Sequence, residues 1–446
     1  GRPLLPVFVL DPETEAIGAA PKWRLGLAVE TFAAALERVG LRLVLRRGPA
    51  LQVLQDLMAE TGADGVWWSR LYDPASVARD TGVKAALRAR GVEARSFPGH
   101  LLHEPWEVET GMGRFYRVFT PYWRSVRGMP VATPAPAPAT ARAVDVWPAS
   151  DDLASWAMGA AMNRGAAVVA RHQAVGEAAA RVRLRAFLDG AVGDYPVQRN
   201  LPAVAGTSRL SENLTYGEIG IREVWHAGQQ VRDHGKPGHG DGAEAFLREL
   251  TWREFSYHLM HHSPGILSAN WKPDWDGFAW REDTPDAERW RRGMTGEPFV
   301  DAAMREMYVT GTMHNRTRMV AASYLTKHLL TDWRVGLDWF AECLTDWDPA
   351  ANAMGWQWVA GSGPDAAPYF RVFNPAGQAE KFDRNESYRR RYVAELSRDP
   401  GPEALAYFQA VPRSWQIMAE QPYPAPVIDL AHGRARALAA YDARNA

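Results

Sequence analysis

A proline- and alanine-rich run, Met129–Ala139 (MPVATPAPAPA), divides this chain into two stretches whose apolar residues recur with different periods. Closely spaced prolines lack N–H groups and fix φ, which excludes both a helix and the interior of a sheet. The run therefore reads as an extended linker. Ahead of it, Leu4–Leu10, Leu41–Leu45 and Gly65–Trp68 read as buried strands. Between them, Leu25, Val29, Phe32, Leu36 and Val39 recur at helical spacing up to a stop at Gly40, and Leu51, Leu54 and Leu57 form a second helical face. That alternation is the rhythm of a parallel α/β sheet. Behind the linker, strand signals are scarce. Ala243–His262, Phe299–Tyr308, Met319–Leu330 and Val335–Leu344 carry three- and four-residue apolar spacing, and Asp348-Pro349 offers an N-cap followed by a first-turn proline. The expected architecture is an α/β, Rossmann-like parallel-sheet domain over residues 1–125, a linker over 126–170 and a large all-α domain over 171–446.

A chain of 446 residues exceeds what one core usually serves, which suits two domains. No run of about 20 apolar residues and no signal-like opening occurs, so neither a membrane nor secretion is expected. The single cysteine, Cys343, cannot build a disulfide framework and suits a reducing, cytoplasmic setting. A formal net charge of -1 does not advertise nucleic-acid binding, although phosphates respond to local charge. Nineteen tryptophans hint at planar partners.

Several local patterns have bland readings. His258-x-x-His261-His262 has helical ligand spacing, but no cysteine or carboxylate nearby completes a zinc set, so no metal site is expected. Gly235–Gly242 (GKPGHGDG) resembles a phosphate loop in composition but follows no strand and reads as a loop, and Gly361-Ser362-Gly363 reads as a turn. Gly206-Thr207-Ser208-Arg209-Leu210-Ser211 gathers hydroxyls and a guanidinium that suit a diphosphate, or equally a helix cap. Asp346-Trp347-Asp348 and Asn352, beside Trp356 and Trp358, read either as polar groups at a site or as a capped helix start with aromatic packing.

Taken together and in order, these segments resemble the photolyase/cryptochrome family. The motifs are Gly206–Ser211 (GTSRLS), Leu250–Phe255 (LTWREF), Phe299–Arg305 (FVDAAMR), Met313–Met319 (MHNRTRM) and Asp332-Trp333-Arg334. The block Asp346–Trp358, Pro368–Pro375 (PYFRVFNP) and Tyr423–Ile428 (YPAPVI) complete them, so the likeness spans nearly the whole chain. Among family members the likeness is to class I enzymes acting on cyclobutane pyrimidine dimers. It implies an N-terminal antenna domain and an all-α, FAD-binding and DNA-binding catalytic domain, with fully reduced FAD as the working cofactor. It also implies UV-damaged DNA as the partner, no protein partner, and a monomer.

The resemblance assigns roles residue by residue. Tyr195 and Thr207, Ser208, Arg209, Leu210 and Ser211 would hold FAD, the hydroxyls and amides taking its diphosphate. Arg318 and Asp346 would pair over the flavin ring, Asp348 would accept from its ribityl or ring side, and Asn352 would lie near the flavin N5. Glu249 would hydrogen-bond the pyrimidine edge and stabilise the dimer radical anion. Trp252 and Trp358 would stack on the flipped dimer, with Asn315 and Met319 on the opposite wall. Arg199, Arg253, Arg316, Arg371 and Lys381 would meet DNA. Residues 371–391 carry six basic side chains (Arg371, Lys381, Arg384, Arg389, Arg390, Arg391) against three acidic ones (Glu380, Asp383, Glu386), although Arg389–Arg391 serve equally well as a solvated helix face. Trp356, Trp333 and Trp280 match the family's electron carriers.

Two rivals follow from the same likeness. Enzymes acting on (6-4) photoproducts carry a histidine pair where Asn315 and Met319 stand, and a relative with an iron–sulfur cluster needs more than one cysteine. A cryptochrome, signalling without repair, usually has a C-terminal extension and an altered pocket, whereas Glu249, Trp252, Asn315 and Met319 are all in place. Departures are also visible. The family opens with a strand and a Trp-Phe-Arg-x-Asp-Leu-Arg segment, so an upstream strand is expected before Gly1-Arg2-Pro3. Phe246 and Thr312 stand where relatives have tryptophan, and His328 stands at an often acidic position. Ala75-Ser76 replaces the Asn-Glu of folate binders, which removes that glutamate's contact and leaves a deazaflavin, another flavin-like pigment, or no second chromophore.

Overall fold

A computed structural model of the chain describes residues 2–365, 369 and 371–444. Four short strands form within the first hundred residues. β1 (Val7–Leu10) runs parallel to β2 (Val44–Arg47) with Val7 opposite Val44, and β3 (Gly65–Ser69) runs parallel to β4 (Glu93–Phe97) with Gly65 opposite Glu93. The parallel layer thus consists of two two-stranded ribbons. Helices Ala19–Glu37 and Pro74–Ala89 make the crossovers within the ribbons, and helix Ala50–Thr61 joins one ribbon to the other. β4 went unmarked in the sequence because only Ala94 among its residues is fully buried, so no apolar alternation betrays it. Helix Ala19–Glu37 forms, but Phe32 is 55% exposed. The buried stripe instead runs through Trp23, Arg24, Ala28 and Val29, because the helix start packs on the second domain. There the Ala19 N–H donates to Glu342 at 3.1 Å, and a side chain at Gly18 would stand 2.2 Å from the Ala341 carbonyl oxygen.

Residues 129–139 carry no regular structure, as proline spacing demands. Further on, the Leu4 N–H donates to the Arg142 carbonyl at 2.8 Å. Val168 and Val169, on helix Gly165–Val169, are buried, Val168 within the core of the helical half.

The second half is helical. Helix His239–His262 starts inside the glycine-rich stretch expected to be a loop, since Gly238 with φ 85° ends the turn. A Cβ at Gly242 would sit 1.7 Å from the Val192 carbonyl oxygen, so close backbone contact, not phosphate, explains that glycine. Where one helix is expected over Met319–Leu330, helix Asn315–Ser323 passes into a π-turn, Tyr324–His328, and Leu330 takes φ 57°. Helices Pro298–Thr310 and Trp333–Cys343 match the expected spans closely, and helix Pro349–Ala360 begins at the expected Asp348-Pro349 start. One large core gathers Trp290, Met304, Trp333 and Trp356. A second gathers Phe119, Tyr122, Trp225, Leu247 and Phe255, and it is shared between the segment after β4 and helix His239–His262.

Buried polar contacts lock the halves together. Arg24, fully buried, makes a two-pronged pair with Glu218 at 2.9 and 2.7 Å and stacks 4.9 Å over the Tyr216 ring. Glu254 accepts the Leu102 N–H at 2.7 Å. Burial pushes the Glu254 carboxyl up to about 7, against Arg253 and the Leu102 and His103 amides, which favour its ionised form. A carboxyl titrating higher in the folded state than in the unfolded one keeps its proton on folding. Its effect therefore lowers stability as pH rises from the ordinary carboxyl range to about 7, and is level above that. Glu254→Gln should remove this loss. Urea unfolding at about pH 5 and about pH 8 should show the variant gaining on the natural protein at the higher pH, and a constant difference would contradict the assignment.

Candidate functional site

Turn Gly206–Ser211 packs directly on the helix that carries Tyr195, for a Cβ at Gly206 would meet Gln198 Cβ at 2.6 Å. Arg209 takes φ 52°, which turns successive amides to one side. Leu210 is buried and anchors the turn, whereas Thr207 and Ser208 are half-buried and Arg209 and Ser211 are exposed. The N–H groups of Thr207, Ser208 and Arg209 and the hydroxyls of Thr207, Ser208 and Ser211 find no protein partner among the described residues. Glu212 fixes the turn from behind, accepting from Arg183 at 3.2 Å and from the Thr345 hydroxyl at 2.5 Å. Thr345 precedes Asp346, so this one contact ties the turn to the next element of the site.

Arg318 donates from Nη2 to both oxygens of Asp346, at 2.9 and 2.7 Å, and from Nε to the Met313 carbonyl at 2.7 Å. Asp348 is the N-cap of helix Pro349–Ala360, accepting the Ala351 N–H at 2.8 Å, and its second oxygen accepts from the Tyr257 hydroxyl at 2.6 Å. Both oxygens thus have protein partners, and the cap reading holds. One turn on, Asn352 donates to the Leu337 carbonyl at 3.1 Å, which leaves its amide oxygen free.

His314, inside the MHNRTRM motif, lies at the meeting point of these groups. Its Nδ1 accepts the Arg316 N–H at 3.1 Å, while Nε2 is buried with no protein partner. Burial first, then the guanidiniums of Arg316, Arg318, Arg209 and Arg199, hold the ring down to about 4. It is therefore neutral near pH 7 with its proton on Nε2, a buried donor ringed by four cations. Glu306 fixes it, accepting the His314 N–H at 3.1 Å and the Tyr388 hydroxyl at 2.6 Å. Unpaired amides, hydroxyls and an imidazole N–H among guanidiniums fit an anionic diphosphate. Sequence reading missed His314, Tyr257 and Glu306, because nothing in their local spacing marks them.

Tyr195 is buried edge-on to Phe187 and Phe246, at 5.3 and 6.0 Å, and the Arg199 guanidinium lies 5.6 Å over its ring. Arg199 is also paired with Glu249, which holds that carboxylate in place. Trp252, half-buried, stacks flat on Phe119 at 3.6 Å and lies edge-on to Phe255 at 5.9 Å. Asn315 is exposed, and Met319 and Trp358 are half-buried. Arg316 donates to Asn200 and lies 4.5 Å over the Phe382 ring, with Lys381 5.2 Å from the same ring. Arg371 is exposed. Arg253 departs from the role expected at DNA: it donates to the His100 carbonyl at 2.8 Å, lies 5.1 Å over Tyr257 and so serves the domain interface. Arg389, Arg390 and Arg391 pair with Asp383, Glu386 and Glu403 at 3.0, 2.7 and 3.1 Å, the solvated-face reading. His258 accepts the Tyr116 N–H at 3.0 Å, and no group of metal-binding side chains occurs among the described residues.

Trp356 and Trp333 are buried in one core, with Trp280 packed against it. Trp356 abuts Phe340 at 4.9 Å and Trp290 at 6.0 Å. Trp333 donates from Nε1 to Asn270 at 2.9 Å. A parallel bridge pairs the backbone of Arg281, next to Trp280, with that of Thr331, two residues before Trp333. Gly336, one turn after Trp333 on the same helix, lies against the Trp356 indole.

Comparison with known proteins agrees in extent with the sequence likeness. A family profile described as the FAD binding domain of DNA photolyase matches residues 246–443, and one described as DNA photolyase matches residues 1–139. The deoxyribodipyrimidine photo-lyase of Agrobacterium fabrum is 43% identical over 99% of this chain and 93% of its own. Cryptochrome-1 of Arabidopsis thaliana is 32% identical over 97% of this chain and 66% of its own. A crystal structure of a bacterial class III photolyase from Agrobacterium tumefaciens superposes with a TM-score of 0.91 at 42% identity, over 100% of this chain and 92% of its own. That description does not support the finer likeness to class I read from the sequence.

The contact at Gly336 is testable. A Cβ there would stand 2.0 Å from Cη2 of Trp356, and a ring wedged between helices cannot step aside. Gly336→Ala should cost about 1–3 kcal/mol or more through overpacking, and it should alter the near-ultraviolet circular dichroism of the folded protein. An unchanged spectrum and unfolding midpoint would refute the contact.

Proposed function

The chain belongs to the photolyase/cryptochrome family, and on that premise we propose that it uses light to split cyclobutane pyrimidine dimers in UV-damaged DNA. The observation that carries this reading is the convergence on His314: four guanidiniums and a set of unpaired donors for a diphosphate lie next to the Arg318–Asp346 pair and to Arg199, the partner of Glu249. FAD fits that donor set. Thr207, Ser208, Arg209, Ser211 and His314 would bind its diphosphate, Arg318 and Asp346 would lie against the ring, and Asn352 would offer its free amide oxygen. When bound, reduced FAD supplies a light-excited electron and takes it back.

The protein's own part is placement and charge. A dimer stacks and pairs poorly, so extruding it from the duplex costs less than extruding normal bases, and photolyases are among the enzymes known to flip bases. Trp252, braced by Phe119, and Trp358 would flank the extruded lesion, with Asn315 and Met319 opposite. Glu249, oriented by Arg199, would hydrogen-bond the pyrimidine edge and stabilise charge developing on it as the cyclobutane bonds break. Arg316, Arg371 and Lys381 would take backbone phosphates, fixing register without reading sequence. Trp356, Trp333 and Trp280 would pass an electron hole outward and so return oxidised flavin to its working state.

The decisive measurement is loss of dimers from irradiated DNA under blue light by flavin-loaded, reduced protein. A protein that bound dimers and never removed them would instead be a photoreceptor. Glu249→Ala should lower repair per absorbed photon by about tenfold, the worth of one hydrogen bond to a charged group, while flavin stays bound. Trp333→Phe should block photoreduction of oxidised flavin yet spare repair by enzyme supplied already reduced. Normal photoreduction in that variant, without added mediators, would exclude the tryptophan route.

A further inference from the structure

Three buried side chains from one stretch of helix hold backbone groups of Arg371 and Phe373, in a single short segment. Ser323, Lys327 and His328 lie at the end of helix Asn315–Ser323 and along the π-turn Tyr324–His328. Lys327 Nζ donates to the Arg371 carbonyl at 2.9 Å, His328 Nε2 bonds the Phe373 carbonyl at 3.0 Å, and the Phe373 N–H donates to Ser323 Oγ at 3.3 Å. A carbonyl only accepts, so the His328 proton is on Nε2. Nδ1 is buried without a partner among the described residues, which makes the ring a neutral, fixed donor. Burial, despite the Phe373 contact, keeps its pKa below the ordinary histidine value. Helix Leu430–Arg444 backs this turn: a Cβ at Gly433 would come 2.7 Å from His328 Nδ1, and Arg436 donates to the His328 carbonyl.

The arrangement is costly. An ammonium buried in this wall is pushed down to about 7, by burial first and then by Arg371. Merely closing a surface would not require that. What the arrangement secures is the backbone under Arg371, whose side chain is exposed and makes no hydrogen bond or ion pair with any other described residue. A small cavity lined by Lys327, Trp358, Val359, Arg371 and Phe373 joins the clamped segment to Trp358. Holding a backbone rigid beneath an otherwise free guanidinium lowers the entropy lost when that guanidinium grips an anion, and a phosphate is the anion at hand beside an extruded base.

We propose that Ser323, Lys327 and His328 form a positioning clamp that presents Arg371 to a DNA backbone phosphate beside the lesion pocket, an inference that rests on the repair reading above. The clamp accounts for the departure at His328: an acidic side chain there could not donate to the Phe373 carbonyl.

The test is binding of dimer-containing oligonucleotide to the flavin-loaded protein over a series of salt concentrations. His328→Leu and Lys327→Met should each weaken binding about tenfold, and should flatten the slope of log affinity against log salt by about one, the signature of a lost phosphate contact. The flavin spectrum and the repair of bound lesions should stay as in the natural protein. His328→Gln, which keeps a donor near the Nε2 position, should restore both affinity and slope, an effect that a general packing defect would not give. Arg371→Gln should reproduce the flattened slope, and combining it with His328→Leu should add nothing. If the larger changes cost flavin, Ser323→Ala removes a single oxygen, and its salt slope decides the matter. A natural slope in these variants, or additive losses, overturns the clamp. Failure of the natural protein to bind or repair dimers would instead remove the repair reading, and the clamp with it.

Discussion

One carboxylate keeps the parts of the site in register. Asp348 is buried, and each of its oxygens has a single partner, the Ala351 N–H at 2.8 Å and the Tyr257 hydroxyl at 2.6 Å. The first bond starts the helix that carries Asn352, Trp356 and Trp358. The second fastens it to helix His239–His262, which carries Glu249 about two turns and Trp252 about one and a half turns before Tyr257. Tyr257 also meets His100 at 2.8 Å, and His100 offers its carbonyl to Arg253, so the segment after β4 belongs to the same network. A buried carboxylate stripped of its partners costs several kcal/mol. None of the three pieces can shift without exacting that cost, which makes the site one rigid unit assembled from distant sequence.

Charge is organised around that unit by pairing most of it off. The chain is nearly neutral, yet Arg316, Arg318, Arg209 and Arg199 converge on His314 strongly enough, together with burial, to hold it at about 4. Elsewhere arginines are neutralised: Arg24 by Glu218, Arg305 by Glu395 at 2.6 Å, Arg389 by Asp383. What phosphates meet is the local field, set here by four converging guanidiniums of which Arg318 and Arg199 also hold Asp346 and Glu249. Buried acids such as Glu306 and Glu212 serve as scaffolding for this cluster. They accept from His314, Tyr388, Arg183 and Thr345.

Much of the fold and part of the site could be read along the chain, and the limit is physical. Helices Pro298–Thr310 and Trp333–Cys343 were legible because one face of each is apolar at three- and four-residue spacing, and Asp348-Pro349 because a cap is a local device. β4 was not, since exposed Glu93, Arg95 and Phe97 leave no alternation. The break in Met319–Leu330 was not either: the π-turn serves contacts with Phe373 and Arg371, more than forty residues away. Motifs located Arg318, Asp346 and Glu249 as residue types. Only the folded chain joins Glu249 to Arg199 and turns Arg253 toward His100.

What the sequence determined by itself is whatever depends on neighbours a few residues apart: the helical period, the caps, the break at Met129–Ala139, and the ordered motifs that mark the family. Tertiary structure alone decided which polar groups are satisfied and which stay open. No described residue pairs with the N–H groups of Thr207–Arg209 or with the buried Nε2 of His314, while the carbonyls of Arg371 and Phe373 are held by Lys327 and His328. Hydrogen bonds and buried charges depend on distances of a few ångströms between residues far apart in the chain, and those distances exist only once the helices have packed.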